Sequence, residues 1–298
     1  MIKTKNKNNF FLFILTLIIL FFSIIIFLSI PVLFNYKSIE SEIEKKFYSE
    51  FNISLKILDK VNYQLIPQPH LLVNKANLIL NVDDKNSSNI QTENLKIFVS
   101  PRYLYPKSNL KFDKMEIKNT NFKFKLNDII NYREHLYNKR NNHIIVKKSK
   151  LFYLDNNNNT VLICLINKLF YFINENENYK KLKINGNIFD INYDSTWKRY
   201  NETPRNSSTE IKFKNPNISL KNIFEFKNSS KFNGLGSINF LNETITVKYS
   251  FDKEKIKIES PNLNDKIKII SNIELNPFYF ESDITFEKYK LNFLIDNF

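Results

Sequence analysis

A run of apolar residues without a charge, residues 10–34, constrains this chain more than any other feature of its sequence: "FFLFILTLIILFFSIIIFLSIPVLF". At about 1.5 Å rise per residue a helix of this length crosses a hydrocarbon core of about 30 Å with some tilt. Lys3, Lys5 and Lys7 precede it, and the positive-inside rule then places residues 1–9 in the cytoplasm. The competing reading is a cleaved signal peptide, which normally has a shorter apolar region and a cleavage site of small residues. The boundary here reads "SIPVLFNYKS", with Ser29 but no A-x-A-like pair, so an uncleaved single-pass anchor is favoured and everything after it lies across the membrane. No later segment qualifies as a span. The best of them, "VLICLINKLFYFI", is short, is interrupted by Asn167 and Lys168, and reads as two strands around a two-residue turn.

Immediately after the anchor, Ile39, Ile43, Phe47 and Phe51 recur every fourth residue, which predicts a short amphipathic helix within residues 35–52. Beyond it the period falls to two. "LKFDKMEIK" carries Phe112, Met115 and Ile117, and "NFKFKL" sets Phe122, Phe124 and Leu126 on one side. Ile184 and Ile191 belong to alternations on either side of Gly186. β-Branched and aromatic residues abound, and turns are written in Asn, Asp and Pro because glycine occurs 3 times. The fold class is therefore mainly β. Many strands with one apolar and one Lys/Asn face require a cover for the apolar side, and no series of amphipathic helices supplies it. The sheet must pack on a second sheet as a β-sandwich, close on itself, or leave an apolar groove open.

A formal charge of +14 would ordinarily suggest nucleic acid or an anionic membrane surface. The lysines are scattered between apolar residues, and the Lys, Asn, Ile and Phe bias with Ala76 as sole alanine is the signature of AT-rich coding. The charge therefore reads as solvated strand faces, and no nucleic-acid partner is expected. Cys164 stands alone in "VLICLI", so neither a disulfide framework nor a cysteine metal cluster is expected. His70, His135 and His143 have no metal-ligand spacing, and "GLGS" at residues 234–237 lacks the lysine and third glycine of a phosphate loop and reads as a turn or bulge. No catalytic residue, metal site or cofactor is assigned. His70 follows Pro67 and Pro69, which suit a corner between strands because proline donates to no ladder.

The order of elements resembles the AsmA-like family of envelope proteins. An anchor and short helix lead into "ISLKILDKVNYQLIP", then the proline corner and "PHLLVNKANLILN", then "TENLKIFVSPRYLYPKSNLKFDKMEIKNTNFKFKL" over residues 92–126. The likeness covers residues 10–126 and continues more loosely to Tyr193. It implies an AsmA-like β module over residues 53–200, a polar linker at 201–209, and a second β segment over 210–298 that continues the sheet, with the C-terminal part of longer members absent. It further implies an inner-membrane-anchored periplasmic protein with a long curved antiparallel sheet as an open β-groove. Phospholipid acyl chains would lie along Phe112, Ile117, Phe122, Phe124, Ile184 and Ile191 on their way toward the outer membrane. The alternative is a structural or regulatory envelope protein that binds another protein without transporting lipid.

Overall fold

The structure is a computed structural model that describes residues 5–79, 89–103, 105, 110–125, 143–174, 178–200, 206–225, 231–240, 243–252, 254–260 and 267–286. Helix α1 (Lys5–Ser29) carries the apolar run and ends in a 3-10 turn, Ile30–Leu33. Its side chains from Phe10 to Phe27 are exposed, as suits a helix long and apolar enough to cross a membrane. A second 3-10 turn, Tyr36–Ile39, leads into α2 (Glu40–Phe51), which buries Ile43, Phe47 and Phe51 as its four-residue spacing requires. Asn52 stops α2 in the left-handed conformation, and its N–H donates to the carbonyl of Tyr48.

The rest is one open, curved sheet. Its strands are β1 (Ser54–Ile57), β2 (Val61–Gln64), β3 (His70–Ile79), β4 (Asn89–Val99), β5 (Phe112–Lys118), β6 (Asn121–Lys125), β7 (His143–Leu154), β8 (Thr160–Asn174) and β9 (Tyr179–Ile188). They continue as β10 (Ile191–Tyr200), β11 (Asn206–Phe213), β12 (Ile218–Glu225), β13 (Lys231–Phe240), β14 (Glu243–Asp252), β15 (Lys255–Glu259), β16 (Ile267–Leu275) and β17 (Phe278–Phe286). β1 and β2 lie end to end along β3, and β5 and β6 end to end along β7. From β7 onward each strand pairs antiparallel with the next. β11 begins inside the stretch read as a polar linker and pairs with β10, so the sheet runs through it.

The sheet is antiparallel apart from β5 and β6, which run parallel to β7. Residues 126–142, His135 among them, lie outside the described residues. One expectation needs correcting. The segment around Asn167 and Lys168 is not a hairpin. It is the single strand β8, and Asn167 is an extra residue between the pairs Ile166–Gly186 and Lys168–Asn185.

That bulge belongs to a line that crosses the sheet. Residues that face the core alternate regularly, then jump by three: Val73 to Ala76 in β3, Thr92 to Leu95 in β4, Ile117 to Thr120 between β5 and β6, Val146 to Ser149 in β7. Between them stand residues in the left-handed region, Asn94 (φ 56), Asn119 (φ 53) and Lys148 (φ 46). The pairs Lys75–Glu93, Lys118–Lys147 and Lys147–Lys168 place these jumps side by side. Left-handed backbone costs an ordinary residue roughly 1–2 kcal/mol, and asparagine tolerates it best. Each such residue reverses the face on which the following side chains emerge, so an apolar face can continue while the strand bends.

Buried hydroxyls seal this crease. Thr92 Oγ1 lies 2.7 Å from Thr120 Oγ1, and the Thr120 N–H donates to Ser149 Oγ at 3.2 Å. On the opposite face Glu116 accepts from Lys147 at 2.6 Å and pairs with Lys118 at 3.3 Å. Burial alone would raise this carboxyl, but the two ammonium groups carry it below its ordinary value.

A depressed carboxyl contributes stability above its unfolded range and loses it as the pH falls through its folded value. Glu116→Gln is expected to cost about 1–3 kcal/mol at neutral pH, less as the solution is acidified below about pH 4. Urea titrations of the detergent-solubilised protein at pH 7 and pH 3.5 check this, and an equal loss at both would contradict it.

Candidate functional site

Cross-strand partners share a face, so the registers trace one side of the sheet residue by residue. Ile117, Val146, Leu169, Ile184, Ser195, Ile211, Leu220, Ile238 and Ile245 oppose one another in turn from β5 to β14. Only Ser195 breaks the apolar sequence. With strands about 4.8 Å apart this stripe is roughly 38 Å long and runs across the strands. A neighbouring row carries Met115, Ile144, Tyr171, Leu182 and Trp197.

The stripe is covered unevenly. At its start Ile43, Phe47 and Phe51 of α2 form one buried cluster with Leu55, Leu71, Leu95 and Phe112. α2 also holds the sheet edge, since Glu44 accepts from the N–H of Ile57 at 2.7 Å. Further along, Leu169, Ile184, Ile211, Leu220 and Ile238 are half-buried, and no other described helix lies over the sheet. At the far end Ile245, Val247 and Ile269 form a second, small buried cluster.

Twist accounts for the curl between the two clusters. Nine ladder steps separate β7 from β16, and at about 20–25° each they accumulate roughly half a turn. The end of β16 is thereby brought to the opposite end of β7, where the hydroxyl of Tyr153 donates to the carbonyl of Leu275 at 3.1 Å.

All three glycines of the chain lie mid-strand opposite bulky inner-face residues: Gly186 opposite Tyr193, Gly234 opposite Tyr249 and Gly236 opposite Val247. The reading of "GLGS" as a turn is thus corrected to the middle of β13. A Cβ at Gly186 would meet the carbonyl oxygen of Leu165 at 2.0 Å, and one at Gly234 would meet the Tyr249 hydroxyl at 2.0 Å. Tyrosine rings lie over the gaps that missing side chains leave in a tightly curved face.

The candidate residues fall into two groups. Phe112, Ile117 and Phe122 are buried and Phe124 is packed against them, all within the cluster that α2 closes. Ile184 is half-buried on the stripe, and Ile191 opens β10 on the same face, opposite Ile188. Periodicity missed Trp197 and Leu220, whose strands are polar on average.

At the membrane end an aromatic collar holds the anchor. The hydroxyl of Tyr63 donates to the Leu28 carbonyl at 2.8 Å, that of Tyr36 to Pro31 at 3.0 Å, and that of Tyr105 to Phe27. Tyr36 stacks on Tyr63, with ring centroids 6.4 Å apart. The Tyr63 and Tyr105 hydroxyls satisfy carbonyls of the last turn of α1, and the Pro31 carbonyl also accepts from the N–H of Phe34. Burial pushes the Tyr63 phenol up to about 12.

Among the described residues the polar side chains singled out in the sequence lie in separate settings. His70 is fully buried at the start of β3, directly after the proline corner, with Nδ1 2.7 Å from the Gln68 carbonyl and its ring against Phe98. Burial lowers its pKa and keeps the ring neutral. His143 sits edge-on to Phe170 and Phe172. Cys164 lies 2.8 Å from the Tyr193 hydroxyl, and burial pushes its thiol up, away from the reactive thiolate. Among the described residues no group of three His, Cys, Asp or Glu side chains could hold a metal ion.

Among known proteins, no family model matches this chain and no curated protein matches it.

The glycine contacts make a specific prediction. Gly186→Ala and Gly234→Ala should each destabilise by about 1–3 kcal/mol in thermal or urea melts. Tyr249→Ala should relieve the second, because the obstacle there is a side chain, whereas Tyr193→Ala should leave the first largely unrelieved, because the obstacle is backbone.

Proposed function

We propose that this is an AsmA-like protein of the cell envelope, anchored by α1 with its N-terminus in the cytoplasm and its sheet in the periplasm. Its inner face holds phospholipid acyl chains and lets them pass toward the outer membrane, with headgroups left in water. The observation that carries this reading is the apolar stripe through Ile184, Ile211 and Leu220, half-buried on the concave side of an open sheet. Acyl chains gain about 0.8 kcal/mol for each methylene removed from water, so such a face is a low-energy path that needs no reaction.

The collar supports the reading from the other end. It ties α1 to β2 through Tyr63, which in this reading sets one end of the sheet beside the bilayer from which a lipid would leave. The stripe then leads away from that point across successive strands.

A second reading has its own observation. β17 is the last described strand, and Phe278, Tyr279, Phe280 and Ile284 are all exposed on it. An exposed apolar edge invites strand addition by a partner protein. In that case the chain would be a structural or regulatory envelope protein.

Photo-crosslinking separates the two. A benzophenone side chain at Ile184 or Leu220 in the full-length protein is expected to capture phospholipid, while one at Phe112, sealed beneath α2, captures none. Crosslinks to protein alone from Ile184 and Leu220, with lipid-free material on mass spectrometry, would favour the second reading.

A further inference from the structure

The interrupted edge of the sheet borders an open pocket of about 500 Å³ beside the exit of α1, lined among others by Phe34, Lys37, Glu40, Leu58, Asp59 and Lys60. We infer that this pocket is a binding site for the headgroup of a zwitterionic phospholipid that carries a primary amine. The inference rests on α1 spanning a membrane, and not on acyl chains occupying the inner face.

Position comes first. Val32 and Leu33, near the end of the apolar run, are 58% and 85% exposed, as suits side chains that face lipid. The wall of the pocket starts at the next residue, Phe34. A bilayer's polar zone begins within a few residues of the hydrocarbon edge, so the pocket lies at headgroup depth.

The crease creates the space. Between β1 and β2 the edge strand leaves its ladder, while Leu58 N–H still donates to the Lys75 carbonyl at 3.0 Å and Asn74 N–H to that of Lys60 at 3.4 Å. Residues 58–60 thus stand off the sheet without leaving it, opposite the turn that opens with Asn35 accepting from Lys37 N–H at 3.2 Å.

Charge selects the ligand. Lys37 and Lys60 supply two cations, Glu40 and Asp59 two carboxylates, and no ion pair joins any of the four among the described residues. An anionic headgroup would meet the lysines but be repelled by the carboxylates. An ethanolamine phosphate answers both signs, its phosphate toward the ammonium groups and its N–H donors toward the carboxylates, while Phe34 and Leu58 offer apolar surface to the glycerol end. A choline group has the charge without the N–H donors, so it satisfies the carboxylates less well.

The test uses the full-length chain in nanodiscs of phosphatidylethanolamine and phosphatidylglycerol in equal parts, extracted in mild detergent, with retained lipids counted by mass spectrometry. Retained phosphatidylethanolamine should exceed phosphatidylglycerol by about tenfold. The double variant Glu40→Gln/Asp59→Asn should erase that preference. Lys37→Gln/Lys60→Gln should lower retention of both lipids. These side chains are largely solvent-facing, so unchanged melting curves confirm the fold of each variant. Equal retention of both lipids by the wild type, or a phosphatidylglycerol preference indifferent to the carboxylates, would overturn the inference. Crosslinking from Ile184 in the same samples reports on the inner face separately, so failure of either claim leaves the other legible.

Discussion

The structure depends on a reversal of side-chain phase along one line across the sheet. A strand of ten or more residues that alternates strictly presents a flat apolar face, and a flat face cannot wrap around a short helix. Left-handed backbone at Asn94, Asn119 and Lys148, with the extra residue Asn167, lets β4 to β8 bend while the side chains on both sides of the bend still point inward. The cost of those conformations is offset by the contacts they allow. Thr92, Thr120 and Ser149 bond one another beneath the bend, and Leu71, Leu95 and Phe112 close on Phe47 and Phe51.

The same line shapes both ends of the molecule. At the first edge it breaks the strand between Ile57 and Val61, which leaves short segments there, one of them held by Glu44, and opens the pocket beside the anchor. Short, interrupted edges resist strand addition. At the other end of the described sheet β17 is unbroken and exposes Phe278, Tyr279, Phe280 and Ile284. Between them, twist and three mid-strand glycines carry the curvature onward to the contact of Tyr153 with Leu275. A sheet of this form is anchored at one end, shielded where α2 lies, and open on its concave side beyond.

Much of this was legible in the residues. The anchor followed from an uninterrupted apolar run, α2 from Ile39, Ile43, Phe47 and Phe51, and the β character from alternation. The open curved sheet, as against a sandwich, came from a resemblance in the order of elements and not from periodicity. The crease was not legible, because a bulge needs one extra residue and no turn signal. In a chain this rich in asparagine, Asn94 and Asn119 look like any other, and Asn167 with Lys168 mimics a hairpin turn. Conversely the turn between β9 and β10 is made by Phe189 and Asp190, both with positive φ, and Phe189 does nothing to advertise it. The parallel pairing of β5 and β6 with β7 is non-local and leaves no local pattern.

Cysteine accessibility along β7 tests the phase reversal most directly. In a Cys164→Ser background, single cysteines at positions 144 to 153 would be labelled with a maleimide in the folded, detergent-solubilised protein. The crease requires protection at positions 146, 149, 151 and 153 with ready labelling at 148 and 150. Unbroken alternation, with 146, 148 and 150 protected and 149 and 151 labelled, would contradict it.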